Sequence, residues 1–496
     1  MTDAYDGRIK RMINRLNNVK NHISRNEKPY EISSKKKISQ TEVKNNLVIE
    51  KEKKLEILEK TDVLVVGGGP SGISAAIASS RAGANTMIID KFGCLGGVIT
   101  TVGMETIGWY RYEGTIDCEG IGIEMERLAE NMGASRKWAY NDSQCLDAEY
   151  FKIIADKLIE ENNVKCLLHT LVVDVIVQEN IIKGVIIETK LGRNAILAKR
   201  VIDCTGDADV AYLSGAQFRQ NKLEDKMGVT TVFNCSGVDT EKFKKYTEDQ
   251  KKTYKDWGQS WCQNTSEENS KLPTPFLGEE FKNASEKNII PKSSSNISGS
   301  WSSLTNAGEA TNLNLVHMKN IDCTNVYDLT KAEIEGRKET LNALQGLKTM
   351  VPGFENARLR NFGMTLGTRD SRKIMAEYNL TKNDVLGEAR FKDSIGIFPE
   401  FLDGYNVLTL PTSGRYFHVP LRCMIPLKIE NLLVAGRCVA GDNYSHAAMR
   451  NMMACTVTGQ GAGVAAAISL TDNCKVRNVN IDNVHTELRK QKVRID

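Results

Sequence analysis

No two of the twelve cysteines stand in a C-x-x-C pair, which excludes zinc ribbons, cluster-binding runs and thioredoxin-type redox pairs. No metal site is expected. Apolar runs are short: "VLVV" and "AGVAAAI" fall well below the roughly 20 residues that span a bilayer. The start, "MTDAYDGRIKRMINRLNN", is polar and offers no apolar h-region for secretion. These absences predict no membrane span and a cytoplasmic setting. Cysteines in apolar surroundings, such as Cys166 in "VKCLLH" and Cys204 in "VIDCTG", then read as buried free thiols in a reducing compartment.

What is present is ordinary globular material. The 496 residues are 41% hydrophobic and 26% charged, enough for two domains with substantial cores. The net charge of +4 comes from the first sixty residues, which hold "RIKRMINR", "SKKK" and "EKEKKLEILEK". A basic arm can tether nucleic acid. Here acidic residues are interleaved and no aromatic cluster accompanies the basic ones, so the arm reads as a solvated extension that packs on a neighbouring subunit. No nucleic-acid partner is expected, and a homo-oligomer is.

The stretch "TDVLVVGGGPSGISAAIASSRAGANTMIID" has the order strand, glycine turn, helix, strand. Gly67, Gly69 and Gly72 meet the G-x-G-x-x-G spacing: a tight turn, backbone approach to a pyrophosphate, and close helix–strand packing. Pro70 and Ser71 lie inside that turn, and the helix N-terminus supplies free N–H groups for phosphates. Asp90, followed by Lys91, stands where a carboxylate accepts ribose hydroxyls. Gly96, Gly97 and Thr100 offer a second close approach of backbone to a ligand. A later strand ends in Thr205-Gly206-Asp207, and a last one, "NLLVAGRCVAGD", turns at Gly436 and ends on Gly441-Asp442. A nucleotide fold that begins near residue 61 and returns near residue 440 wraps one long cofactor, with another domain inserted between.

The series "DVLVVGGGPSGISAAIASSRAGA", "GCLGGVITT", "VIDCTGDADVA", "DLTKAEIEGRKE", "VPGFENARL", "LGTRDSRKI", "VPLRCMIP" and "NLLVAGRCVAGDNYSHAAMRNMMACTVTGQGAGVAAA" resembles the FAD-dependent oxidoreductases of the glutathione-reductase-like flavoprotein fold, in the bacterial group distantly similar to fumarate reductase flavoproteins. It covers roughly residues 58 to 470. The resemblance implies an α/β fold: a Rossmann-like FAD-binding domain with an inserted α+β substrate domain. The expected segments are a basic extension (1–57), the first part of the FAD domain (58–216), the substrate domain (217–404), the closing part (405–472) and a tail (473–496).

It also implies that Asp90 holds the adenosine ribose and that Gly96, Gly97 and Thr100 run beside pyrophosphate and isoalloxazine. Asp442 then binds the ribityl chain. "TGQGAG" opens the closing helix, so that Gly459, Gln460 and Gly461 point N–H groups at the flavin, where a helix N-terminus stabilises the negative charge of the reduced ring. The histidine-before-glycines pattern of covalent flavin attachment is missing, which predicts non-covalent FAD. Cys94 and His418 depart from the family's usual residues.

The candidates for chemistry are Arg369 and Arg372 in "GTRDSR", His418 and Arg422 in "FHVPLRC", and the i,i+4 pair His446 and Arg450 in "GDNYSHAAMR". Arginine can clamp a substrate carboxylate or stabilise developing charge, and His446 could move a proton. The bland alternative is ion pairs and a helix face. Trp257 and Trp261, one helical turn apart, could face a ligand or form a core or dimer surface. No second G-x-G-x-x-G unit exists, so electrons come from a visiting nicotinamide, an external partner or oxygen. The leading expectation is hydride transfer between FAD and a small organic substrate. A flavin monooxygenase is the rival, followed by an RNA-binding or tRNA-modifying flavoprotein and a flavoprotein without turnover.

Overall fold

The computed structural model describes residues 52–107, 117–137, 144–249, 277–301, 303–405 and 414–496, together with residues 10, 14, 42–44, 47–49, 262–263 and 407–409. Trp257 and Trp261 lie outside them. The chain divides into two units, residues 1–54 and residues 55–496. In the first, Glu42–Lys44 and Leu47–Ile49 form an antiparallel pair.

The second unit is built on a seven-stranded sheet. Its middle strand, β1 (Ile57–Val66), ends in the fully apolar Val63–Val66, which can only be satisfied with both faces covered. It pairs in parallel with β2 (Thr86–Ile89) on one side and β6 (Gly192–Asp203) on the other, Val66 standing opposite Ile89 and Asp203. Beyond β2 lies β3 (Lys165–Leu167). β4 (Leu171–Gln178) and β5 (Ile181–Thr189) form an antiparallel ribbon against the first half of β6. Its second half, Val201–Asp203, is free for a strand from far along the chain, Leu432–Val434, which joins in parallel. The nucleotide sheet is thus completed after the inserted segment.

Two helices cover one face with almost no side chain between them. The helix α1 (Pro70–Arg81) is mostly serine, alanine and glycine and crosses the helix Met452–Thr471, whose Gly459 and Gly463 lie against it. A Cβ on either would come within 2.1 Å of Ser71 O and 2.2 Å of Ala75 O respectively. Met452–Thr471 is long and apolar enough to cross a membrane, but 89% of its apolar window is buried inside the protein, so its hydrophobicity serves the core.

The inserted segment carries an antiparallel sheet in the order β8 (Ser303–Thr305), β9 (Glu309–Met318), β7 (Val229–Ser236), β10 (Arg358–Phe362). The helices α2 (Gly278–Glu286) and α3 (Val326–Met350) pack against it around Phe233, Phe281, Leu313 and Leu347. Asn325 caps α3 by accepting the Tyr327 amide at 2.9 Å. The fold is α/β with a mainly parallel nucleotide sheet and an α+β insertion.

Candidate active site

The turn after β1 begins with Gly67 at φ +102, which a side chain rarely adopts, and a Cβ there would lie 2.4 Å from Cys204 O. Gly72 packs equally tightly, with a Cβ site 1.8 Å from Gly67 O. Gly69 differs: the nearest atom to its Cβ site is Gly97 Cα at 3.8 Å, so its backbone faces open space. It is the N-cap of α1, with Pro70 following and no side-chain cap. The first amides of the helix are therefore left for a ligand.

That open space is one cleft of about 1950 Å³, roughly twice the ~1,000 Å³ upper end of ordinary small-molecule pockets. Gly67, Gly69, Pro70, Ser71, Asp90, Lys91 and Gly97 line it. Asp90 accepts the Gly68 amide at 2.5 Å and the Phe92 amide at 2.7 Å, while burial raises its carboxyl. Thr205, Gly206 and Asp207 continue the lining. Their loop hangs on the buried Asp203, which accepts from Thr205 Oγ1 at 2.7 Å and the Ala211 amide at 2.9 Å. Asp207 accepts from Ser371 Oγ at 2.6 Å and from Arg437 Nη2 at 2.7 Å, and Arg437 also lines the cleft. Asn451, Met452 and Cys455, at the start of Met452–Thr471, close that end.

The opposite wall comes from the insertion and the loops beside it. Arg369 donates from Nη2 to His317 Nε2 at 3.3 Å. Guanidinium groups only donate, so Nε2 accepts. His317 is exposed to the cleft yet deep in the protein, and burial followed by the charge of Arg369 pulls its pKa down to about 3. Arg450 donates from Nε to Asp403 O at 2.9 Å and pairs with Asp403 Oδ2 at 2.7 Å. Lys226, its side chain 3% exposed, pairs with Asp322 at 2.8 Å. Arg372 pairs with Asp209 at 2.9 Å and stacks on Tyr212. All of these donors, Arg369, Arg450, Lys226 and Arg372, line the same cleft as the glycine turn.

Several expected site residues stand elsewhere. His446 does not line the cleft; it is 3% exposed, and its Nε2 donates to Arg369 O at 3.1 Å. Burial and then Lys373 hold its pKa well below the usual value. It packs under the wall beside a fully buried pair, Lys373–Asp370 at 2.5 Å, that Tyr405 joins through a 2.8 Å bond to Asp370. The i,i+4 spacing places His446 and Arg450 on one helix (Asn443–Met449, with Arg450 as its C-cap), but only Arg450 reaches the cleft. His418 and Arg422 are outside it: His418 stacks on Tyr416, and Arg422 forms a forked pair with Asp393, both bonds 3.0 Å.

Asp442 also faces away. It caps the helix Asn443–Met449 by accepting the Ser445 amide at 2.8 Å and also takes the Lys382 amide at 2.7 Å, beside a separate groove of about 500 Å³. A Cβ on Gly441 would meet Ser445 Oγ at 2.2 Å, so the Gly441-Asp442 pair serves the helix start. Gly459, Gln460 and Gly461 do not open their helix, which begins at Met452. Gly459 packs on Ser71, Gly461 on Ile395, and Gln460 accepts the Ile121 amide at 2.8 Å. Gly96 and Thr100 point inward: the Cβ site of Gly96 is taken by the Thr100 side chain, whose hydroxyl donates to Leu95 O at 2.7 Å.

Sequence reasoning missed Arg437, His317, Lys226 and Tyr405. Arg437 carried a signal, since it follows a glycine that ends an apolar strand. His317 carried a weaker one in "NLNLVH", where Asn312, Asn314 and His317 interrupt an apolar strand with polar groups that need a partner or a cavity.

A glycine-turned helix start, an acid at the end of the second strand and a long cleft that reaches a polar wall define a dinucleotide-dependent enzyme. The chain belongs to the FAD dependent oxidoreductase family, whose model matches residues 62–488; it is an FAD-dependent oxidoreductase. Short local matches exist to dihydrolipoyl dehydrogenase 1, mitochondrial, of Arabidopsis thaliana, 47% identical over 45 residues. Leghemoglobin reductase of Vigna unguiculata is 49% identical over 45 residues. Each match spans 9% of this chain and 9% of the relative.

Among solved structures, a geranylgeranyl bacteriochlorophyll reductase-like protein from Thermoplasma acidophilum gives a TM-score of 0.44 at 14% identity, covering 88% of this chain and 82% of that one. For p-nitrophenol 4-monooxygenase from Pseudomonas putida the values are 0.43, 10%, 87% and 84%. For L-proline dehydrogenase from P. horikoshii they are 0.36, 13%, 86% and 98%. They differ in reaction and do not choose one for this chain.

The residues present fit FAD. The cradle at Gly69 is open, the first amides of α1 lack a side-chain cap, and Arg437 Nη1 is buried in the cleft lining with no partner among the described residues. A phosphate or ribityl oxygen answers each.

Proposed function

We propose that the protein transfers a hydride between non-covalent FAD and a small organic substrate, oxidising or reducing a C–C, C–N or C–O bond. Bound FAD supplies the two-electron chemistry. The observation that carries the reading is the continuity of the cleft: the glycine cradle at Gly67–Gly72 and the wall of Arg369, Arg450 and His317 share one space. Ser71, Asp90, Lys91, Asp207 and Arg437 would hold the cofactor; that all five line the cleft supports this. Lys226 and Asp403 stay fixed by their ion pairs, which keeps the wall rigid. A single dinucleotide motif supports an electron partner outside the chain, and buried thiols such as Cys204, Cys235 and Cys423 support a reducing cytoplasmic setting. The basic first segment supports a homo-oligomer.

The test is anaerobic mixing of the FAD-loaded protein with a panel of small alcohols, amines, hydroxy acids and enoates. Direct bleaching of the flavin by one of them, or reoxidation of reduced flavin by an enoate, is expected. Bleaching only by a nicotinamide, with substrate consumed only when oxygen is admitted, would show a monooxygenase instead. FAD should leave intact on acid precipitation.

A further inference from the structure

Resting on the hydride-transfer reading, we propose that Arg369, Arg450, Asp403 and His317 form a subsite for the carboxylate of a singly charged substrate. The charges acting most strongly on Arg369 are those of Arg450 and Asp403. Arg450 is matched by Asp403, 2.7 Å away. Asp370 and Lys373, just behind, neutralise each other at 2.5 Å. His317 adds no charge, because its Nε2 accepts from the Arg369 guanidinium and so carries no proton. One positive charge is left over, on Arg369.

That guanidinium sits in a poor place to be alone. Burial, and then repulsion from Arg450, pull its pKa down to about 10, and a cation on the cleft wall whose nearest carboxylate is already paired with Arg450 is open to an anionic ligand. Its position is nonetheless fixed: His446 holds the Arg369 carbonyl at 3.1 Å and His317 takes Nη2 at 3.3 Å. Among the described residues the structure gives the other Arg369 N–H groups no protein partner. A planar group with two parallel donors and one unmatched charge matches a carboxylate. The charge count favours one carboxylate over two, since a second negative charge would meet Asp403 unbalanced.

The probes are propionate, its neutral isostere propionamide, and succinate, titrated calorimetrically into the FAD-loaded protein. Propionate is expected to bind at least about tenfold more tightly than either of the others. Arg369→Gln should lower propionate affinity by roughly 10- to 100-fold, the worth of a charge-assisted hydrogen bond, and leave propionamide unchanged. Arg369→Lys should lose less. Asp403→Asn, which raises the wall's net charge by one, should shift the preference towards succinate, and it tests the charge count even if Arg369→Gln does not fold. Equal binding of propionate and propionamide, no saturable propionate binding, or unchanged selectivity in Asp403→Asn overturns the subsite. Bleaching by a substrate without Arg369-dependent binding sinks the subsite and leaves hydride transfer standing. Arg369-dependent binding in a protein that nothing bleaches does the reverse.

Discussion

Gly69 and Gly72 stand three residues apart and tolerate change very differently. The Cβ site of Gly69 has no atom nearer than 3.8 Å, whereas that of Gly72 lies 1.8 Å from a main-chain oxygen. Gly69→Val should therefore fold with a near wild-type far-ultraviolet spectrum but retain no FAD, because its side chain fills the space meant for phosphate. Gly72→Ala should lose several kcal/mol of stability in a denaturant titration, the mark of overpacking against backbone. If Gly69→Val keeps its flavin, the cradle has been placed wrongly. His446 makes a subtler case. Buried and bonded to the Arg369 carbonyl, it positions the wall without touching substrate. His446→Gln, whose amide can still donate, should keep the flavin and slow its reduction by less than the ~100-fold typical of a lost acid or base; stopped-flow reduction reads this. Asp203 gives a pH effect. Burial raises its carboxyl from 3.8 to about 6, so its contribution to stability is full below about pH 4 and lost as pH rises through 6. The loss is roughly 3 kcal/mol. Asp203→Asn should gain on the wild type by that order between pH 4 and pH 7, and a difference that stays flat in urea titrations sinks the idea. The glycine turn was legible because all its parts lie within one local stretch. The Asp442 reading failed because "VAG" occurs twice in "LLVAGRCVAGD", and only the sheet decides: Leu432–Val434 ends on the first residue of the first copy, so Arg437, and not Gly441 or Asp442, lines the cleft.

At the scale of elements, the crossing of α1 with Met452–Thr471 decides how the cleft is held. Glycines in the middle of a helix cost roughly 1 kcal/mol each against alanine, yet here Gly459, Gly461 and Gly463 are retained where the backbone of Ser71, the Ile395 side chain and the backbone of Ala75 press close. Gly459→Ala, normally a stabilising change in a helix, should reverse sign. It should cost at least about 2 kcal/mol and weaken FAD retention, since the atom it displaces belongs to Ser71 of the cradle; thermal unfolding with and without added FAD separates the two effects. Reading "TGQGAG" as a helix opening took glycines as open backbone when they were close-packed backbone. The true start, at Asn451, has the right residue type for a cap, but its side chain turns back to Ala447 O and Ala448 O. Local pattern shows that glycines are needed without showing which neighbour needs them.

For the whole molecule, the division at residue 54 predicts that a chain lacking residues 1–54 keeps its FAD stoichiometry and its reduction rate, with any change confined to oligomeric state by sedimentation. Loss of flavin from a truncated chain that still folds would falsify the separation. The return of the nucleotide fold near residue 440 was legible, because an apolar strand followed by glycine cannot be mistaken for the turn-rich insertion. The wall of the cleft was legible only in part: Arg369 and Arg450 stood out as candidates, but their meeting with His317 did not, because the three come from segments that no local spacing connects.

The late strand Leu432–Val434 also sets a clock. A ribosome adding ~5–20 residues per second needs on the order of ten to fifty seconds to travel from Asp203 to that strand, and meanwhile the edge of Val201–Asp203 has no neighbour. Arg437 and Asn451, which line the cleft, emerge later still, so the cleft is completed only in the last part of synthesis. Each newborn molecule therefore spends much of its growth with an apolar sheet edge open, and closes it only when Leu432–Val434 arrives.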